Sequence, residues 1–401
     1  MTQKYTDEEL SKEAFIEDTK RDYFGKEADV FLRREEPISV DLQELSYFTW
    51  GIGDDNPLYF DPAYAAKTRW GSPIAAPGIV ALWRYPVGHG SQYDKPYRVH
   101  NYISGDKVEW FDVVRPGDSI RTTLILNDAE IKRGKTGPLV FLYTEGKFWN
   151  QHGAIVAKQR GTLICTEYEA GKDRGDAVHW KAEVQKYSEE EIERIAQAYD
   201  NEYRRGADTL YWEDVKEGDK LPTVVKGPLT MMDLILHWQG GMPMTFKGVA
   251  GSFRRLYQYA KNTPLSWRRV NPMTNWPYET EVADHYDVYM TKFRGMPLPF
   301  DAGVMRTQLF YHVITNWMGD DGFLRMFDMQ IRSPFFYGDT IWFTGEVVKK
   351  HKVVEGGIEY GAVDIKVNGP NQRGESTAPG IATVYLPSPG RPVQVPIPVS
   401  E

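Results

Sequence analysis

The feature that most constrains this chain is a pattern written twice. Pro116-Gly117-Asp118-Ser119-Ile120 matches Tyr337-Gly338-Asp339-Thr340-Ile341, and Asn150-Gln151-His152-Gly153 matches Asn371-Gln372-Arg373-Gly374. Both pairs lie 221 residues apart (338 − 117 and 371 − 150). Pro37-Ile38-Ser39 with Asp41 is echoed by Pro228-Leu229-Thr230 with Asp233, and Gly71-Ser72-Pro73 through Gly78 by Gly295-Met296-Pro297 through Gly303. Four motifs in one order, two of them at a single offset, imply two homologous halves. The length of 401 residues suits two domains.

Each half follows the same grammar. A segment ending in Ser or Thr plus an acidic residue makes a helix N-cap. A loop follows, then an apolar helix, predicted near 77–89 in the first half and over 303–318 in the second, where Gly319 stops it. Strand-like runs come next, such as 122–126, 139–143, 341–348 and 381–386. One helix beside a set of antiparallel strands is an α+β arrangement. Between the halves, Ser188-Glu-Glu-Glu191 reads as a capping box. Ile192, Ile195, Ala196 and Tyr199 share one helical face, and Arg204-Arg205-Gly206 reads as the helix end. The second half carries an insertion: Thr230 to Asp287 spans 57 residues and Ser39 to Asp61 spans 22 (287 − 230 and 61 − 39).

These signals divide the chain into an N-terminal helical extension (1–34), a first half (35–170), a linker helix (171–207), a second half (208–388) with an insertion at 240–280, and a Pro-rich tail (389–401). The net charge of −8 gives no reason to expect nucleic acid or an anionic membrane as partner. The start is polar and acidic, unlike a secretory signal, and no apolar run reaches the roughly 20 residues of a membrane span. The single cysteine, Cys165, sits in a strand-like run and reads as a buried thiol. A cytoplasmic location is expected. No His or Cys spacing suggests a metal site, and no phosphate-binding glycine loop stands between a strand and a helix.

The chemistry is concentrated in Gly53-Asp54-Asp55-Asn56-Pro57-Leu58-Tyr59-Phe60-Asp61, followed by Ala75-Ala76-Pro77-Gly78. This resembles the hydratase motif of the MaoC-like hotdog enzymes, the (R)-specific enoyl-CoA hydratases and dehydratases, with a first half like a FAS1-type dehydratase. There the motif runs Gly-Asp-x-Asn-Pro-x-His-x-Asp. Asp54, Asn56, Pro57 and Asp61 fit, and Tyr59 occupies the His position. The second half has His285-Tyr286-Asp287 with Gly295 beyond, but Thr280 where the Asp belongs and Val282 where the Asn belongs. Neither half holds the complete pair.

The resemblance implies a double hotdog, two curled antiparallel sheets each wrapping a central helix and related by a pseudo-twofold axis. It also implies an acyl-CoA hydratase or dehydratase interconverting a 2-enoyl-CoA and a 3-hydroxyacyl-CoA, with no cofactor beyond the CoA of the substrate, working as a homodimer of double hotdogs. The Asp and His of the motif would move the protons. A backbone N–H at the start of the central helix, at Gly78 or Gly303, would hold the thioester oxygen.

Three readings follow. Asp54 activates water with Tyr59 as the donor; or His285 works with Glu279, Glu281 or Asp284; or both motifs are relics and the chain is a non-catalytic acyl-CoA-binding or regulatory subunit. A hotdog thioesterase is the alternative enzyme. Asn56 is a substrate-binding candidate. Arg254 and Arg255, in a basic cluster of the insertion with Lys247, Lys261, Arg268 and Arg269, are candidates for the CoA phosphates. Asp61 and Asp287 read as helix caps, and His237 and His312 as structural residues.

Overall fold

The computed structural model describes residues 6, 8–28, 37–88, 90, 91, 95, 97, 99–134, 137–167, 182–241, 253–262, 270–279, 281–291 and 296–399. The first half contains helix α1 (Lys12–Tyr23), strand β1 (Ile38–Ser39), helices α2 (Leu42–Gly51), α3 (Pro62–Ala65) and α4 (Val80–Trp83), and strands β2 (Val99–Trp110), β3 (Ser119–Gly134), β4 (Gly137–Trp149) and β5 (Ile155–Glu167). Helix α5 (Glu189–Asp200) lies between the halves. The second half has β6 (Val224–Lys226), α6 (Met231–Gly240), α7 (Arg254–Asn262), α8 (Gly303–Met318), β7 (Phe323–Gln330), β8 (Ile341–Glu355), β9 (Ile358–Pro370) and β10 (Ser376–Leu386).

All the strand pairs are antiparallel, and they join into one ten-stranded sheet in the order β1-β3-β4-β5-β2-β7-β10-β9-β8-β6. The order is palindromic. Outward from the β2–β7 junction, each strand of one half faces its counterpart in the other. The two wraps are therefore fused through β2 and β7, with Val108 opposite Phe327, into a double hotdog with a continuous sheet.

The repeated motifs make the same contacts twice. The Gln151 amide grips Asp118 (2.9 Å) and accepts from Ser119 N–H (3.1 Å); Gln372 does the same for Asp339 (2.6 Å) and Thr340 N–H (3.0 Å). In both turns the glycine, Gly117 or Gly338, has positive φ, where a side chain would be strained. The caps Asp41 and Thr230 start α2 and α6 as expected. These helices pack so closely that a Cβ on Gly240 would lie 2.3 Å from Tyr47 O.

The central helices differ. In α8 every residue from Val304 to Met318 is buried, with Phe310 against Phe327 and Tyr311 edge-on to Trp110. Each such aromatic is worth about 2–3 kcal/mol of burial. The first-half helix, expected to run to about residue 89, is only a 3₁₀ turn at Pro77–Ile79 followed by α4. Arg84 is already extended (φ −142°, ψ 122°). Pro86, two residues on, has no N–H to continue the ladder and biases its predecessor toward extended backbone.

The linker also departs from expectation. Its capping box at Ser188 and Glu191 forms, but the helix ends at Asp200, and only Ile195 of its apolar face is buried. Ile192 and Tyr199 are exposed. The segment after it, including Arg204 and Arg205, is extended chain that lies across the end of α8, where Arg205 donates to Trp317 O (2.8 Å). Cys165 is buried in β5, and burial pushes its thiol far up. Among the described residues no helix is long and apolar enough to cross a membrane.

Candidate active site

The first-half motif folds as a tight corner behind α2. Gly53 has φ 65° and turns the chain, and Lys226 Nζ from β6 donates to its carbonyl (2.6 Å). Asp54 Oδ1 accepts Asn56 N–H (2.9 Å), and Asn56 Oδ1 accepts Leu58 N–H (3.0 Å), which starts the 3₁₀ turn Pro57–Tyr59. Asp61 caps α3, accepting from Ala63 N–H at 2.8 Å. Asp54 and Tyr59 are brought inside by this geometry, 3 % and 2 % exposed.

Tyr59 lines a narrow apolar cleft of about 50 Å³ with Ala76, Pro77, Ile79, Val80 and Trp110. Asp320, just beyond the end of α8, lies at its polar side and accepts from the Tyr64 hydroxyl (2.7 Å). Asp54 and Asn56 stand behind Tyr59 rather than in the wall. Gly78 is buried at the second residue of its 3₁₀ turn, where helical geometry gives an N–H no internal partner. A Cβ there would sit 2.9 Å from the Tyr311 ring of α8.

The partner that sequence reasoning missed for Asp54 comes from the other half. His312 of α8, 1 % exposed, points Nε2 at Asp54 Oδ1 (3.5 Å) and at Glu202 Oε1 (3.2 Å). Burial raises the Asp54 carboxyl to about 6 and raises Glu202 as well. Burial first, then Lys226 and Arg204, hold His312 well below the ordinary histidine range, so its ring is neutral near pH 7. Burial also lowers Lys226 and holds Tyr59 protonated. Asp54, Asp55 and His312 bring ligand-type atoms within 4.8 Å of one another. Arg204, paired with Asp55, and Lys226, on the Gly53 carbonyl, stand beside this cluster.

One sequence signal pointed to His312. On α8, buried on all sides, Gln308, His312 and Asn316 recur every four residues and form a polar ridge on one face. Gln308 meets the buried His237 (2.6 Å), whose ring burial drives down to about 4; Asn316 donates to Glu202 (3.3 Å).

The second-half candidates are arranged differently. His285 is half-buried, with Nδ1 3.2 Å from Phe300 O and its ring against Phe300 and Trp238. Glu279 accepts from Asn271 (3.2 Å), and Asp284 is buried beside His285 in the chain. Asp287 accepts from Tyr289 N–H (2.8 Å), as a cap does. Gly303 starts α8 against Ile103, where a Cβ would lie 2.7 Å from the Ile103 Cβ. Arg254 is exposed on α7. Thr280, Gly295, Lys247, Arg268, Arg269 and the side chains of Arg255, Glu281 and Val282 lie outside the described residues.

Comparison with known proteins bears on the fold. Residues 30–159 match the family model of the FAS1-like dehydratase domain region. The whole fold is similar to a solved MaoC-like dehydratase at 16% identity, with 88% of this chain and 97% of that one covered and a TM-score of 0.56. A MaoC domain dehydratase from Chloroflexus aurantiacus J-10-fl aligns at 14% identity over 88% and 94% of the two chains (TM-score 0.49). A conserved hypothetical protein from Mycobacterium tuberculosis, described as a double hotdog, aligns at 11% over 87% and 93% (TM-score 0.48). No curated protein sequence matches the chain. Residues 30–159 are thus similar to a FAS1-like dehydratase region, in a chain whose fold is the double hotdog seen in a solved MaoC-like dehydratase.

Proposed function

We propose that this chain is a hydro-lyase that interconverts a 2-enoyl-CoA and a 3-hydroxyacyl-CoA at the first-half site. The observation that carries the reading is a buried carboxylate, Asp54, set behind Tyr59 at the edge of an apolar cleft that opens at the Pro77 helix start. In hydration, the water's proton passes to the Tyr59 oxygen as Tyr59 hands its own to the Asp54 carboxylate behind it, and the water oxygen adds to C3. The Gly78 N–H holds the enolate oxygen of the thioester. The Tyr59 hydroxyl gives its proton to C2 and recovers one from protonated Asp54. A phenol that burial holds protonated favours that last transfer. Asn56 fixes the corner that presents Asp54. Arg254, exposed on α7, is assigned to the CoA phosphates.

The narrowness of the cleft favours one other reading, an acyl-CoA-binding subunit without turnover. A panel of enoyl-CoA esters of rising chain length separates the two. The purified chain should remove the enoyl thioester absorbance, and Asp54→Asn should slow this by about a hundredfold or more. Binding of acyl-CoA with no turnover of any ester would favour the subunit.

A further inference from the structure

The first-half motif carries Tyr59 where its family carries an imidazole, yet an imidazole stands beside Asp54. It arrives from the other half of the chain, 258 residues on (312 − 54), projected by the buried helix α8. We propose that His312 supplies from the second half the imidazole that the first-half motif lacks, donating its Nε2–H to Asp54 as a positioning residue, with Glu202 competing for the same proton. The inference rests on the Asp54 site being the hydro-lyase site.

The geometry supports this in three ways. Nε2 is buried with no hydrogen bond formed, 3.5 Å from Asp54 Oδ1 and 3.2 Å from Glu202 Oε1, so a small turn of the ring gives its one N–H to either carboxylate. Asp54 Oδ1 already accepts Asn56 N–H, so an imidazole donor adds a second hydrogen bond to the same oxygen. Finally, the ring sits on a helix whose every neighbour is packed, which fixes its direction far better than a loop would. His312 is one turn before Asn316, whose amide donates to the same Glu202 Oε1 (3.3 Å).

The charged and titratable groups around Asp54, Tyr59 and His312 come from several elements. His312 and, beyond its end, Asp320 belong to α8, and Glu202 and Arg204 to the segment after α5. Lys226 is on β6, and Asp55 and Tyr59 lie on the motif itself. Among these, His312 and Glu202 are coupled through one proton, so their removal should act on Asp54 in opposite directions. Without His312 the carboxylate loses a donor and becomes harder to ionise. Without the Glu202 charge, the N–H is released to Asp54 and a neighbouring negative charge disappears, so the carboxylate becomes easier to ionise.

The test uses the full chain and the acid limb of kcat/KM for the best enoyl-CoA of the panel. In wild type the limb should fall near pH 6. His312→Leu should move it up by one unit or more and lower kcat at pH 7 at least tenfold with KM within threefold. His312→Gln, which keeps an N–H donor, should recover part of that loss, and Glu202→Gln should move the limb down. A merely structural role for His312 would not shift the two limbs in opposite directions. Unchanged limbs in His312→Leu and Glu202→Gln, while Asp54→Asn remains inactive, would overturn the inference and leave the site reading intact. Full turnover in Asp54→Asn would overturn the site reading itself. If His312→Leu does not fold, the Gln variants carry the test. The Asp54 carboxyl titration, followed by carbon NMR on labelled protein, reads the same shifts without turnover.

Discussion

Replacing Asp54 by Asn should make the protein more stable while removing its activity. The folded state keeps this carboxyl almost fully buried, and burial lifts its titration from the ordinary 3.8 to about 6. Between those two values the folded chain binds a proton that the unfolded chain has released. Stability therefore falls as pH rises through that window and stays at its lower level above about 6. The gap is worth about 3 kcal/mol at pH 7.5. Asn removes the charge but keeps an oxygen for the Asn56 N–H, so most of that amount should be recovered. An unfolding entropy of about 2.1 cal/mol/K per residue over 401 residues converts 3 kcal/mol into a rise in Tm of about 3–4 °C. Scanning calorimetry at pH 7.5 and pH 4.5 should show the difference at the higher pH and most of it lost at the lower. A variant that is less stable at pH 7.5, or a difference that does not change with pH, would refute the reasoning. A site that holds a costly charge in the ground state is the common exchange of stability for function.

Three other outcomes are expected. Tyr59→Phe should lower kcat about tenfold to a hundredfold with little change in KM and little loss of stability, since the ring stays in the cleft wall; initial rates across the ester panel check it. Gly240→Ala should lower Tm by several degrees, because its Cβ would press on Tyr47 O at 2.3 Å and part α2 from α6. Cys165 should resist a thiol reagent in the native protein and react once the chain is unfolded, since burial holds it as the thiol.

Much of the fold was legible because its signals are local. The Gly-Asp turn and the Asn-Gln-x-Gly turn each specify a short loop, and their repetition at one offset marks the duplication without any knowledge of long-range contacts. The strand runs and α8 follow from apolar patterning. What was not legible depends on competition or distance. The first-half helix lost to Pro86, two residues past a stretch of good apolar periodicity. The linker helix ended at Asp200 because the following residues serve α8: Arg205 satisfies the Trp317 carbonyl and Glu202 faces His312. The fusion of the two wraps through β2 and β7 is a pairing that neither strand's own sequence encodes. His312 carries no motif of its own. Its partner is set by how the halves close on each other, and only the four-residue polar ridge Gln308–His312–Asn316 on a buried helix hinted that this face meets something polar.

The central claim is that Asp54, working with Tyr59, moves the protons of a reversible hydration of an enoyl-CoA. The most direct measurement is deuterium incorporation at C2 of a 3-hydroxyacyl-CoA incubated with the pure full chain in heavy water, read by mass spectrometry. Reversible dehydration through the first-half site predicts label at C2 with wild type and about a hundredfold slower labelling with Asp54→Asn. Label that appears equally fast with both proteins, or with neither across the whole ester panel, would contradict the account.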